Sequence, residues 1–292
     1  MTYTLLIVAV IANGALAAVA YWRAAVTLDG AVAGLIVGAG ILLFGGWTAW
    51  LCLGSFFVTS SLASRVGSSR KTQVRLIQEK GDRRDALQVL ANGGVGFLAA
   101  LGLAASLLLA RRTGGAFGGT DIWMIAIAAA FAEANADTWS SELGVLSRRR
   151  PVSLVSRRPV MPGMSGGVTA AGFAAAAGGA LLIAAVFAAG LLAFTPERSY
   201  ALLAFEAGVV ALAGWAGSIV DSLLGATLQP LFLVPGTGDL TERKEGAAGR
   251  NARVGGLSFM SNDMINFLST LISAAVAATA GALLSNLFVA MR

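Results

Sequence analysis

Apolar runs of bilayer length follow one another along most of this chain, and they restrict the fold more than any other feature. A helix crosses a hydrocarbon core in about 20 apolar residues. Seven stretches qualify, at about 3–21, 31–61, 86–110, 121–139, 165–194, 200–228 and 257–288. No intervening stretch is polar enough for a soluble domain. Charged residues are 12% and hydrophobic residues 57% of the chain, whereas a soluble domain is about 25% charged. The expected fold is all-α: a polytopic transmembrane helix bundle of about seven spans, one integral membrane domain over residues 1–292. The first run lacks a basic n-region and leads straight into further spans, so it reads as a retained helix and not a signal peptide. The second run, rich in glycine, is too long for one straight span. It is tilted, kinked or broken near Gly45-Gly46.

Basic residues orient the bundle. The loops at 62–86, 147–163 and 229–257 hold seven, five and four Lys or Arg, sixteen of the 21 in the chain. By the positive-inside rule these loops are cytoplasmic. With seven spans the N-terminus is then cytoplasmic and the C-terminus outside. An extra helix pair in the second run would leave this intact, and one missed span would reverse half of it. The expected location is a prokaryotic cytoplasmic membrane, or a plastid or organelle membrane in a eukaryote. The net charge of +6 sits in these loops and does not point to nucleic acid. Clusters such as Arg148-Arg149-Arg150 are more often topology signals or contacts to anionic lipid than ligand sites.

The chain has no His, and its single Cys, Cys52, lies in an apolar run. The commonest general base and transition-metal ligand is therefore missing, and there is no disulfide framework. Metal here is bound by oxygen, which favours Mg²⁺ over Zn²⁺.

Against this background, three carboxylates between Glu133 and Glu142 stand out. A carboxylate in a bilayer is costly unless it is paired, metal-bound or wetted. Glu133 and Asp137 share a helix face; Glu142 is expected to point away from them unless the helix frays near Trp139. Polar residues elsewhere fall on the same side. Asn92 and Ser165 begin odd-numbered spans, Asp137 and Asp221 end even-numbered ones, and Asn262, Asp263 and Asn266 begin the last. Scattered structural polar groups have no reason to choose one side, although long loops carry some polarity into adjacent helix ends. A single cytoplasm-facing site accounts for the pattern. In it Asp137, Asp221 and Asp263 hold Mg²⁺, with Glu133 a further candidate ligand. Asn92, Asn262 and Asn266 add neutral oxygens, and Lys71 and Arg75 face phosphates. The turn Gly163-Met164-Ser165-Gly166-Gly167 opens the fifth span, where Ser165, Gly166 and Gly167 offer backbone N–H groups to an anion. Small residues in a membrane helix more often serve packing. Acids for metal and bases for phosphate, placed at a membrane, suggest phosphoryl or nucleotidyl transfer on a lipid phosphate. Glu206 stands apart and pairs with Arg198 or Arg112. Trp47, Trp50 and Trp123 are interface or packing residues.

Several segments resemble the transmembrane protein 19 family, which includes the plant phytyl-phosphate kinase. They are Arg65-Val66-Gly67-Ser68-Ser69-Arg70-Lys71, Gln88-Val89-Leu90-Ala91-Asn92-Gly93-Gly94, Asp137-Thr138-Trp139-Ser140-Ser141-Glu142, Asp221-Ser222-Leu223-Leu224-Gly225-Ala226 and Asn262-Asp263-Met264-Ile265-Asn266. The order of the motifs is kept from the second span to the seventh. One departure is Gly163-Met164-Ser165-Gly166-Gly167, where many relatives have Gly-Thr-Asn-Gly-Gly. The resemblance implies a kinase that converts a membrane prenyl monophosphate, such as phytyl or geranylgeranyl phosphate, to the diphosphate, with Mg²⁺ and CTP or another nucleoside triphosphate. Asp137, Asp221 and Asp263 would be its catalytic and metal-binding acids, with Ser141 and Glu142 among the residues that bind substrate or nucleotide. A phosphate monoester is already an anionic nucleophile, which agrees with the absence of His. The alternatives are a polyprenol kinase, a cytidylyltransferase making a CDP-lipid, and an ion-coupled transporter. A homo-oligomer is compatible with the sequence.

Overall fold

A computed structural model of the chain describes residues 3–67, 83–114, 120–246 and 249–290, with side chains for all but 120 and 284–290. Among the described residues, seven helices form the bundle: α1 (Tyr3–Trp22), α2 (Leu28–Arg65), α3 (Ala86–Thr113), α4 (Thr120–Gly144), α5 (Ala170–Phe194), α6 (Tyr200–Leu228) and α7 (Asn262–Ala290). Side-chain caps set three of their starts. The Thr27 hydroxyl caps α2 by accepting from Gly30 N, and Thr169 caps α5 from Gly172 N. Asp85 and Gln88 form a reciprocal capping box at α3. Six of these described helices, all but α4, are long and apolar enough to cross a membrane.

Helix α4 is the exception because Glu133, Asn135 and Asp137 dilute its apolar run. It is also the most enclosed, packing against α2, α3, α5, α6 and α7, with Ile127 through Ala132 at most 1% exposed. Polar groups at this depth need protein on all sides. Small residues let the neighbours come close: a Cβ on Gly214 of α6 would lie 2.5 Å from the Ala132 side chain.

Helix α2 is not one rod. Gly46 breaks it with φ 76° and ψ −172°, a backbone conformation open essentially to glycine. An unbroken helix would hold residues 27 and 61 roughly 50 Å apart. Instead both meet Arg84. Thr27 N donates to the Arg84 carbonyl at 3.0 Å, and the Arg84 guanidinium donates to Ser61 Oγ at 3.1 Å. Arms 28–45 and 47–65 therefore fold back on one another as a helical hairpin. Helix α1 lies along the first arm, Ala9 packing with Ala39 and Leu42, and Ala20 with Ala31.

This corrects the expected sidedness. The second apolar run supplies two passes instead of one, so Tyr3 lies at the end of the bundle opposite the three basic loops. If those loops are cytoplasmic, the N-terminus is not. The 23–27 turn, with Arg23, moves to the basic end, and the charge asymmetry between the two ends grows.

Among the described residues, strands lie in two of these loops. Between α4 and α5, β1 (Val152–Ser153) pairs with β2 (Gly167–Val168). Between α6 and α7, β3 (Leu231–Leu233) lies between β4 (Leu240–Thr241) and β7 (Ala252–Gly255), and β5 (Glu245–Gly246) pairs with β6 (Gly249–Arg250). At the other end, Arg198 bonds both Glu206 oxygens at 2.6 Å and also Asp121, the partnership anticipated for Glu206. Trp50 and Trp123 donate to Asn13 Oδ1 and Ser106 Oγ.

Candidate active site at the basic end of the bundle

A cavity of about 280 Å³ opens where helices α2, α3, α4, α6 and α7 meet the β-bearing loops. Its wall includes Asp137 from α4, Asp221 from α6, Asn262 and Asn266 from α7, and Asn92 from α3. Ser141, Glu142 and the turn Ser165-Gly166-Gly167 complete the predicted set that it gathers. Ten of the residues expected from sequence thus share one cavity.

The Asp137 and Asp221 carboxyls, on neighbouring helices, face each other at hydrogen-bonding range. Ser269 Oγ donates to Asp221 Oδ2 at 3.1 Å. The Asn266 amide, oriented to satisfy both neighbours, donates to the same oxygen at 3.1 Å and to the Asn262 carbonyl at 3.0 Å. Two carboxylates this close repel unless a proton or a cation lies between them. Glu133 sits one helical turn deeper than Asp137 and outside the cavity wall, 1% exposed. Thr270 Oγ1 donates to its Oε2 at 2.7 Å, while Oε1 is buried with no hydrogen-bond partner among the described residues.

Three expectations change. Glu142 does not point away: α4 runs unfrayed to Gly144, and the cavity wraps its last turns, so Glu142 lines it and accepts from Ser64 Oγ at 2.8 Å. Asp263 is buried but is not among the cavity-lining residues; Asn262 and Asn266, four apart, present the α7 face that is. The Gly-rich turn does not open α5. That helix starts at Ala170, because Gly167 pairs with Ser153 in a strand and Thr169 supplies the cap. The Ser165 N–H is already given to Glu242 Oε1 at 2.7 Å. Gly166, at φ 75°, lies where a Cβ would come 2.3 Å from the Ala226 side chain, so its role is close approach to α6. Lys71 and Arg75 lie outside the described residues. Among the described residues no group of three or more His, Cys, Asp or Glu is arranged to hold a metal. Mg²⁺ needs no such cage when one or two carboxylates and substrate phosphates supply its ligands.

The residue that sequence reasoning passed over is Arg84, counted only as a loop base. It lines the cavity and donates to Ser60 and Ser61 hydroxyls, each at 3.1 Å. Its guanidinium lies 5.8 Å from the centre of the Phe57 ring. Burial pulls its pKa below the ordinary value, and the Glu142 carboxylate opposes that. A signal was available: Asp85-Ala86-Leu87-Gln88 is a capping box, which pins the preceding residue at the mouth of the bundle. Arg149 and Glu242 also line the cavity and were likewise missed.

Fold and site together define a polytopic helical membrane protein with a polar, acid-bearing cavity at the basic end of its bundle. Residues 11–274 match the family described as integral membrane protein DUF92. The chain belongs to that family. It is 31% identical to Protein PGR of Arabidopsis thaliana over 92% of this chain and 93% of that one. An uncharacterized membrane protein of Methanocaldococcus jannaschii is 31% identical over 69% of this chain and 74% of its own. Another, from Synechocystis, is 25% identical over 68% of each. These matches agree with the resemblance to the transmembrane protein 19 family. No solved structure matches the chain.

Proposed function

We propose that this protein is a Mg²⁺-dependent kinase that transfers a phosphoryl group from CTP or another nucleoside triphosphate to a membrane prenyl monophosphate. The observation that carries this reading is the facing pair Asp137 and Asp221 in a cavity whose wall also bears Arg84 and Arg149. Opposed, half-buried carboxylates on a cavity wall fit a divalent cation, and the guanidinium groups fit phosphates. Mg²⁺ held by Asp137 and Asp221 would supply neutralisation of the charge that builds on the transferring phosphoryl group. The chain itself has to position the reactants. Arg84 orients the acceptor phosphate, Asn266, held by the Asn262 carbonyl, fixes Asp221, and Asn92 and Asn262 offer neutral groups to ligands from the cavity wall. An oxygen of the prenyl phosphate attacks the γ-phosphorus, the bond to the β-bridging oxygen breaks, and the nucleoside diphosphate leaves. No strong base is needed, in keeping with a cavity that has no His.

Purified protein with phytyl or geranylgeranyl phosphate, labelled CTP and Mg²⁺ yields labelled prenyl diphosphate if the reading holds. Absence of product with every nucleoside triphosphate refutes it. Release of pyrophosphate with a CDP-lipid product reassigns the protein as a cytidylyltransferase, and turnover of a free prenyl alcohol reassigns it as a polyprenol kinase.

One observation favours a second reading, an ion-coupled carrier. Glu133 is buried near the middle of α4 with one oxygen unbonded among the described residues, as coupling-ion sites near a bilayer midplane are. Substrate uptake into proteoliposomes that Glu133→Gln abolishes would establish it. Phosphoryl transfer in detergent, with no second compartment, would exclude it as the sole activity.

A further inference from the structure

We propose that the slot between the two arms of α2 seats the first isoprene units of the substrate's hydrocarbon chain, and that Arg84 marks the boundary between lipid head and lipid tail. This rests on the kinase reading above. The slot is a second cavity, of about 110 Å³, walled mainly by apolar and glycine residues including Val37, Leu53 and Phe57. Its few polar residues sit at its two ends. At the mouth, Arg84, Gln88 and Asn92 also line the acidic cavity, so the two spaces share a wall. At the floor, Trp50 Nε1 donates to Asn13 Oδ1 at 3.0 Å and Asn13 Nδ2 donates to the Ala9 carbonyl at 2.8 Å. The floor's polar groups are thus bonded to one another and to the backbone, and a charged head belongs at the mouth.

From Gly30 to Gly38 the first arm rises about 12 Å, which sets the depth of the slot. Its sides are the arms of one hairpin, with α1 and α3 completing it. Such a slot suits one chain, and a prenyl phosphate has one where a diacyl lipid has two. Glycine keeps the slot open: a Cβ added at Gly34 or at Gly54 meets nothing within 4 Å. A cation at an apolar mouth matches an anionic head on an apolar tail.

Two measurements test this. In the first, Gly34→Leu and Gly54→Leu fill the slot from opposite arms. Each is expected to lower kcat/KM for phytyl phosphate about tenfold or more relative to that for dimethylallyl phosphate, whose single isoprene unit enters only the mouth of the slot, the scale on which apolar pockets discriminate. In the second, the wild-type protein is photolabelled with a prenyl phosphate carrying a diazirine in its proximal isoprene units. Label is expected on α2 and is competed by unlabelled phytyl phosphate. An unchanged ratio between long and short substrates, or competed label outside α1, α2 and α3, overturns the assignment. Wild-type protein that turns over no prenyl phosphate sinks the kinase reading, and the labelling still decides the slot.

Discussion

Glu242 accepts the Ser165 amide at 2.7 Å across 77 residues of chain. Its other oxygen accepts from Gln229 Nε2 at 2.8 Å. One carboxylate thus latches the β1–β2 loop to the β3–β4–β7 loop over the acidic cavity. Glu242→Ala removes two charge-assisted bonds around a buried group and is expected to cost about 1–3 kcal/mol locally. Limited trypsin digestion in detergent would show faster cleavage at Arg157-Arg158 or Arg243-Lys244. An unchanged rate refutes the latch.

Asp137 and Asp221 are expected to be needed for turnover and not for folding. Asp137→Asn and Asp221→Asn keep shape and hydrogen-bonding capacity while removing charge. Each is predicted to reduce prenyl diphosphate formation by about 10²-fold or more, the range for removing a group that stabilises transition-state charge. Elution as a monodisperse peak with wild-type melting behaviour would show that the bundle is intact. A loss of less than tenfold would remove either residue from the machinery.

Arg84→Lys tests the forked geometry of the guanidinium. Lysine keeps the charge but cannot bond Ser60 and Ser61 while also facing a phosphate. KM for the prenyl phosphate is expected to rise roughly tenfold to a hundredfold, the worth of one charge-assisted bond. An unchanged KM would make Arg84 a structural strut alone.

The fold-back of α2 puts Tyr3 opposite the basic loops. With buried Cys52 replaced by Ala, Tyr3→Cys and Ser156→Cys should show opposite reactivity toward an impermeant maleimide in intact cells. Equal labelling of the two before permeabilisation would contradict the hairpin.

Gly46 carries that hairpin at φ 76°. Gly46→Ala places a Cβ in a region that costs an L-residue about 1–3 kcal/mol, although no neighbouring atom lies within 4 Å to clash with it. A lower melting temperature in detergent is the expected result, and an unchanged one would mean that the turn relaxes freely.

The bundle was legible from its apolar runs because hydrophobic length is a one-dimensional property. Asp137, Asp221, Asn92, Asn262 and Asn266 were legible because each stands out against a hydrocarbon background on one side. Asp263 shows the limit of that signal. Depth along a helix can be read from sequence, but its neighbour Asn262 turns to the cavity and Asp263 does not, and rotation about the axis is set by packing. Arg84 was hidden for the opposite reason: in a basic stretch one more arginine is unremarkable until the chain doubles back at Gly46 and brings both arms of α2 to it. The Gly-rich turn misled because glycine marks both anion cradles and tight backbone contact, and only the position of Ala226 distinguishes them.

The enclosed, least apolar helix α4 bears on how the protein is made. A segment carrying Glu133, Asn135 and Asp137 is poorly suited to sit alone in lipid, and three of its five packing partners, α5, α6 and α7, are synthesised after it. Early in biogenesis α4 must wait at the insertion machinery, or in a half-built assembly, until those later helices close around it. Truncations that end before α7 should accordingly be recognised by membrane quality-control proteases as incomplete.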